Sequence, residues 1–115
     1  MPKRNDDDGF TTHIVDLLKP WCDVEPRRMF SGVGLFANGL MFAIIFDDVL
    51  YLKDPIDEQG KPAKASFEKE YFEYSRQGKI VRLGYFKAPE QALEDGDYLV
   101  ELANASYKSA TNRKR

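Results

Sequence analysis

The spacing of hydrophobic residues along this chain changes from a helical period to strand-length runs and back to a helical period. Near the N-terminus, apolar residues recur at the spacing of one α-helical face: Phe10, Ile14, Leu17, Leu18 and Trp21. Pro20 has no backbone donor, so we expect the helix to end or kink near Lys19. We expect Trp21 to be a core side chain and not part of a ligand site.

Residues 27–53 contain short apolar runs separated by tight-turn signals. Asn38-Gly39 and Asp47-Asp48 favour hairpin turns, so the pattern predicts an antiparallel β-meander. Gly32 and Gly34 interrupt its early part, which indicates a bulge, a sharp bend or a close backbone approach. The predicted strands span residues 27–31, 33–37, 40–46 and 49–53.

Two of these strands differ in their hydrophobic pattern. Residues 40–46 are apolar without alternation, which predicts a central strand covered on both faces. In residues 49–53, Leu50 and Leu52 alternate with Val49, Tyr51 and Lys53. This alternation predicts one face in the core and one at least partly solvated.

The second half of the sequence predicts a loop, a hairpin and two helices. Residues 54–65 form the loop, with a short helical segment that starts near residues 61–65 and runs toward Lys69. A hairpin with strands 72–75 and 79–83 follows, in which Gly78 takes the positive φ of the turn, and Tyr85-Phe86 extends beyond it.

Residues 89–93 are predicted to form a short helix, and Asp95 is predicted to cap the next one. That last helix carries an apolar stripe of Tyr98, Leu99, Leu102, Ala103 and Ala105, and the chain becomes polar from Ser106. We therefore expect residues 1–9 to be a flexible segment, residues 10–106 a single domain, and residues 107–115 a basic flexible tail.

Composition and charge narrow the function classes. Seventeen basic and 19 acidic residues give a net charge of −2, so there is no global positive field to attract phosphate backbones. A single cysteine excludes an intramolecular disulfide and a multi-cysteine zinc site. No segment has the length of a signal peptide's apolar region or a membrane span, so we expect a soluble, cytoplasmic protein without membrane contact.

The chain resembles the N-terminal domain of the TfoX/Sxy competence regulators over roughly residues 10–103. The residues that carry the resemblance occur in the family's order: Arg27-Arg28-Met29-Phe30, Gly32, Gly34-Leu35, Asn38-Gly39, Met41-Phe42-Ala43, Leu50-Tyr51-Leu52-Lys53, Phe72-Glu73-Tyr74, Gly78-Lys79, Tyr85, Pro89-Glu90 and Leu93-Glu94-Asp95.

The resemblance implies an α+β domain with two layers and secretion-chaperone-like architecture. Its antiparallel sheet would have five to six strands, in α-β(3-4)-α-β(2)-α order. It also implies a small regulatory or protein-interaction module that acts on transcription alongside the cAMP receptor protein. The full-length regulators carry a second, helical C-terminal domain, and this sequence ends soon after its last predicted helix. The resemblance therefore does not imply a DNA-related function that depends on that second domain.

Arg27-Arg28 is the main candidate for a functional contact. Adjacent strand residues point to opposite faces, so one arginine can bind an anion or a partner, aided by Tyr51 and Lys53. Alternatively, an arginine pairs with an internal carboxylate or covers an apolar edge with its methylene stem. The full set of candidate partner contacts is Arg27, Arg28, Met29, Phe30, Gly32, Gly34, Tyr51, Lys53 and Tyr85.

His13 and Cys22 are weak candidates for catalysis. Asp16 is placed to orient the His13 ring, but no motif ties a nucleophile to it, so we expect a surface histidine. Cys22 has no adjacent basic cluster and is expected to be a buried or half-buried thiol. Without a nucleophile–base pair, a metal set or a cofactor motif, we expect neither an enzyme nor a cofactor.

The sequence leaves three kinds of binding partner as alternatives. A protein partner requires an exposed apolar patch, for which Phe36, Tyr85 and Phe86 are candidates, or an unpaired strand edge. Nucleic acid requires basic residues gathered on one face, and a small ligand requires a pocket with converging polar groups. A homodimer formed through exposed strand edges is compatible with all three.

Overall fold

The computed structural model describes residues 5–29, 32–56, 61 and 67–113. Its elements in chain order are helix α1 (Asn5–Leu18), strands β1 (Glu25–Met29), β2 (Gly32–Ala37), β3 (Leu40–Phe46), β4 (Val49–Lys53), β5 (Tyr71–Arg76) and β6 (Lys79–Lys87), a 3-10 helix (Glu90–Leu93) and helix α2 (Gly96–Arg113). Helix, meander, hairpin and final helix therefore follow the predicted order.

The six strands form one antiparallel sheet in the order β1-β2-β3-β4-β6-β5. Each predicted hairpin turn has residues with positive φ: Asn38 and Gly39, Asp47 and Asp48, and Gln77 and Gly78. Two consecutive residues with positive φ define the type I′ turn, whose twist matches that of paired strands. The sheet with helices before and after it confirms the predicted α+β class, and the likeness to secretion chaperones stays a prediction.

Both described helices pack on one face of the sheet, called here the covered face. Its strand side chains form one core cluster with helix residues such as Ile14, Leu18, Leu99 and Ala103, all fully buried. The strand members of this cluster are Leu35, Ala37, Phe42, Ala43, Ile45, Leu50, Leu52 and Phe86. Burial of these side chains supplies the main favourable term for folding.

On the face opposite the helices, Met41 and Ile44 of β3 are only half-buried and Phe46 is exposed, so the prediction of cover on both faces is wrong. The pairing of β2 with β3 shifts between Leu35 and Phe36, which oppose Ala43 and Met41 respectively. A bulge at this point places Phe42 and Ala43 on the same side, and both are fully buried. The absence of alternation in the sequence thus results from the bulge and from apolar residues on the other face.

Trp21 packs against the core, as predicted. Its ring makes edge contacts with Phe42 at 5.3 Å and with Tyr107 at 5.8 Å between ring centroids. Its indole Nε1–H donates a hydrogen bond to Asn104 Oδ1 at 3.3 Å. The residue therefore joins the end of α1 to the middle of α2 above the sheet.

A buried polar cluster lies where the chain leaves β4 and where it enters β5. Asp54, only 6% exposed, accepts hydrogen bonds from Lys69 Nζ and from the Tyr71 hydroxyl, both at 2.6 Å. The Ser106 hydroxyl donates to the carbonyl oxygen of Lys53 at 2.6 Å. These contacts tie both ends of the connection to the sheet and to α2.

Helix α2 is longer than predicted and includes residues that were assigned to a flexible tail. Leu99, Ala103, Ser106 and Ala110 lie on one helical face, and all are buried. The hydroxyl of Ser106 is satisfied by its hydrogen bond, so a polar residue continues the buried stripe. Helix α1 likewise begins at Asn5, inside the predicted flexible segment.

Two other predicted elements extend into undescribed parts of the chain. The first strand was predicted over residues 27–31; it begins earlier, at Glu25, and residues 30 and 31 lie outside the described residues. The middle helical segment falls mainly on residues 62–66, which also lie outside them. Its described end, Phe67 to Lys69, is not helical.

Candidate interaction surface

The face of the sheet opposite the helices, called here the open face, carries apolar and aromatic side chains. The strand pairings place Arg27, Gly34, Ile44 and Tyr51 on this face, since directly opposed residues share a side. Its larger members are half-buried or exposed: Met29, Phe36, Met41, Ile44, Phe46, Tyr51, Phe72 and Tyr74. None of them belongs to the core cluster that contacts the helices.

One half of the open face is an aromatic cluster centred on Phe72. Its ring makes edge contacts with Tyr51 at 4.9 Å and with Phe46 at 5.4 Å between centroids, and Tyr74 follows at 6.3 Å. Phe46 and Tyr74 remain 37% and 36% exposed. The cluster joins three strands and presents ring surface to the outside.

The other half of the open face is built around Gly34. A Cβ atom at this position would lie 2.6 Å from Met29 Sδ, 2.9 Å from Met41 Sδ and 3.1 Å from the Phe36 ring. Glycine therefore allows these three side chains to meet over β2. Methionine side chains adapt to irregular contacts, a property that favours their use at binding surfaces.

The two candidate arginines point to opposite faces, as predicted from their adjacency. Arg27 lies on the open face, where its guanidinium is 4.4 Å from the centroid of the Phe36 ring and donates hydrogen bonds to the Glu25 carboxylate at 3.3 and 3.4 Å. Arg28 opposes Val33 on the side of the covered face and is exposed. Only Arg27 belongs to the open face.

The remaining candidate residues are spread over the open face. Lys53 opposes Tyr85, and its Nζ is 5.3 Å from the centroid of the Tyr85 ring. Strands β1 and β4 are three strand spacings apart, about 14 Å. Tyr51 and Lys53 therefore share a face with Arg27 but do not assist it directly. Phe30, also a candidate, lies outside the described residues.

Charges of both signs surround the apolar part of the open face. Glu25 accompanies Arg27 at one edge, and Glu70 Oε1 lies 3.9 Å from Lys87 Nζ toward the other. Burial, together with the carboxylates of Glu70 and Asp47, raises the pKa of the Tyr51 hydroxyl above its ordinary value. At Arg27 and Lys87, therefore, the positive charge of this face lies close to a carboxylate.

The described residues show few features of a catalytic or metal centre. They contain no group of three or more His, Cys, Asp or Glu side chains placed to hold a metal ion. His13 is exposed, with Nε2 3.0 Å from the carbonyl oxygen of Leu93, and Cys22 is a half-buried free thiol, both as predicted. Asp47 and Asp48 form a turn, as expected.

A shallow concavity of about 210 Å³ lies beside Phe67, Glu70, Lys87 and Glu90. Ligand sites typically enclose about 300–1,000 Å³, so this concavity is small for one. None of the described helices is both long enough and apolar enough to cross a membrane.

Several residues of the open face were not predicted, and two of the predicted contacts, Arg28 and Phe86, are not on it. Phe86 is 2% exposed and belongs to the core, since it alternates with Tyr85 along β6. Met41, Ile44, Phe46 and Phe72 were missed as surface residues. Strand β3 has more apolar residues than one buried face needs. This excess was the signal for Met41, Ile44 and Phe46.

The chain is similar to a known protein family. The family model for the TfoX N-terminal domain matches residues 16–110, which include all six strands, most of α2 and only the end of α1. No protein with a curated description matches the chain.

Proposed function

This chain belongs to the TfoX N-terminal domain family, and from that premise we propose that it is a small regulatory module that binds another protein through the open face of its sheet. The observation that carries the proposal is the set of half-buried aromatic and methionine side chains on that face. Contiguous apolar surface of this kind is typical of interaction sites.

The composition of the open face favours a protein partner over nucleic acid. Protein interfaces combine an apolar, aromatic-rich centre with a polar rim, and tyrosine, phenylalanine, methionine and arginine are enriched in them. Binding to phosphates instead requires a concentration of uncompensated positive charge. Here Arg27 pairs with Glu25, and Lys87 lies near Glu70.

By analogy with the competence regulators that the chain resembles, the proposed partner belongs to the transcription machinery. A regulator of the cAMP-receptor type and RNA polymerase are the first proteins to test. Both should be purified from the cell that makes this chain and titrated against it by biolayer interferometry. DNA at low salt provides the comparison that tests the nucleic-acid alternative.

A pair of matched variants locates the binding surface. Phe46→Glu places a charge in the aromatic cluster, beside Phe72, and should weaken partner binding at least about tenfold, the size of a moderate hot spot. Ile80 is 68% exposed and lies opposite Ser75 in the β5–β6 hairpin, away from the open face, so Ile80→Glu should bind normally. Equal binding by both variants would refute the open face as the site, and salt-sensitive binding to DNA alone would favour the nucleic-acid alternative.

A further inference from the structure

The two edges of the sheet differ in how they are protected against pairing with another strand. Edge strand β1 contains Pro26, which has no N–H, and also Glu25, Arg27 and Arg28. Proline and dense charge are the usual devices that prevent edge-to-edge association. Edge strand β5, with the sequence YFEYSR, contains no proline and alternates aromatic with polar residues at its centre.

Strand β5 also belongs to a hairpin that extends beyond the rest of the sheet. Lys53 is the last residue of β4 and opposes Tyr85, whereas β6 begins at Lys79. Residues 73–83 therefore project as a two-stranded arm, and most of its side chains are exposed. A two-stranded hairpin is only marginally stable in water without a third strand or other cover.

The turn of this arm determines which backbone groups of β5 point outward. In a two-residue type I′ hairpin, the residues that flank the turn exchange both hydrogen bonds, so Arg76 bonds to Lys79. Alternate residues then point away from β6, which places the N–H and C=O groups of Glu73 and Ser75 on the outer edge. No strand in the described part of the chain lies beyond β5.

The outward N–H and C=O groups of Glu73 and Ser75 can bond to the same groups of a second copy of β5, and one register of the two strands is the most favourable. In an antiparallel pair, directly opposed residues lie on the same face of the sheet. A two-fold axis normal to the sheet must therefore pass through a residue of β5, and the central ones are Glu73, Tyr74 and Ser75. If the axis passes through Glu73, the two Glu73 carboxylates oppose each other, which places like charges together. If it passes through Ser75, the turn residue Gln77 of one copy opposes Glu73 of the other. Centring on Tyr74 pairs each Glu73 with a Ser75, each Phe72 with an Arg76, and the two tyrosines with each other.

We propose that this chain forms a two-fold symmetric dimer by antiparallel pairing of β5 with β5 of a second copy, with the two Tyr74 residues opposite each other at the axis. The pairing makes four backbone hydrogen bonds, two for each Glu73–Ser75 pair. It gives both arms a third strand and joins the two sheets into one. The dimer uses an edge, so it does not depend on the partner proposed for the open face.

A proline variant tests the edge in purified protein, without any partner. Ser75→Pro removes an outward N–H and leaves the bonds between β5 and β6 intact, so the monomer should fold normally by circular dichroism. It removes two of the four bonds and should weaken self-association roughly 30-fold, which corresponds to about 2 kcal/mol. Ser75→Ala keeps the N–H and should dimerise like the wild type in sedimentation equilibrium.

Cysteine variants in a Cys22→Ser background test the register, including the case in which Ser75→Pro does not fold. Non-hydrogen-bonded antiparallel pairs have Cα atoms about 4.5 Å apart, within the range that a disulfide spans. Tyr74→Cys should therefore cross-link readily on oxidation. Ser75→Cys should cross-link poorly, because two Ser75 residues are diagonal neighbours, about 8 Å apart.

Each outcome decides the proposal. A wild-type dimer that Ser75→Pro dissociates, together with preferential cross-linking of Tyr74→Cys, supports it. A wild-type protein that stays monomeric at every accessible concentration overturns it. A dimer that Ser75→Pro leaves intact, or equal cross-linking of the two cysteine variants, places the contact elsewhere and also overturns it.

Discussion

The two faces of the sheet contain similar residue types but have different surroundings. On the covered face, Leu35, Leu50 and Leu52 are at most 1% exposed beneath two helices. On the open face, Phe46 and Tyr74 keep more than a third of their surface exposed. Side chains of equal hydrophobicity therefore stabilise the fold on one face, whereas on the other they are left with surface to bury against a partner.

Two phenylalanines on β3 give the largest expected difference between the faces. Phe42→Ala should lower the free energy of unfolding by about 3–5 kcal/mol, because it leaves a cavity in a fully buried site. Phe46→Ala removes a ring that is already 37% exposed and should cost about 1 kcal/mol. Urea denaturation of both variants measures the difference. Equal losses would mean that something buries the open face in solution.

The next largest effect contrasts two ion pairs. The side chains of Lys69 and Asp54 are 11% and 8% exposed, so Lys69→Met leaves a carboxylate buried without its cation and should cost about 3 kcal/mol. Arg82→Met removes the partner of Glu73 in a pair whose side chains are 62% and 44% exposed, and should cost less than about 1 kcal/mol. Thermal or urea unfolding of the two variants tests the contrast, which fails if both losses are small.

A smaller effect is expected at a glycine of the open face. Gly34→Ala forces the thioethers of Met29 and Met41 to move, which we expect to cost about 1–2 kcal/mol. Gly84→Ala is the matched control, because a Cβ atom there meets no other atom within 4 Å, and its stability should stay near that of the wild type. Gly34→Ala should also reduce partner binding, since it changes the shape of the open face. A neutral Gly34→Ala would show that the methionines adapt without cost.

The smallest effect concerns pH on the covered face. Burial and the hydrogen bond to Asp54 raise the pKa of Tyr71 from 10.0 to about 12. A folded-state pKa above the unfolded value means that Tyr71 contributes stability below pH 10, and that this contribution is lost as the pH rises through about 12. Tyr71→Phe should remove this dependence and cost about 1 kcal/mol at neutral pH for the missing hydrogen bond. Unfolding curves of both proteins from about pH 9 to 12 measure it, and parallel pH profiles would contradict the assignment.

Local signals in the sequence predicted most elements. The positive-φ turns at Asn38-Gly39 and Gly78 arose from residue preferences that operate within a few positions. Asp95 Oδ1 accepts hydrogen bonds from the backbone N–H groups of Asp97 and Tyr98, as predicted for a helix cap. The predicted end of α2 failed because a buried serine looks polar in sequence, although a long-range hydrogen bond satisfies Ser106.

The sequence predicted individual residues of the candidate site but not the contacts between them. Motif positions such as Arg27, Gly34 and Tyr51 were chosen from the sequence, and the structure places them on the same face. The aromatic contacts of Phe72 with Tyr51 and Phe46 join residues from separate hairpins. No spacing rule within one segment predicts such contacts.

The sequence by itself determined the periods of the helices and strands and the positions of the turns, because each depends on residues near one another in the chain. It also determined the family, through the order of motifs along nearly the whole chain. The tertiary structure decided which face of each strand is covered and which strand forms each edge. A single bulge beside Phe42 reverses the alternation of β3, and the order β4-β6-β5 places β5, not β6, at the edge. Both outcomes depend on how distant segments pack together, and the free energy of that packing is not encoded in any one of them.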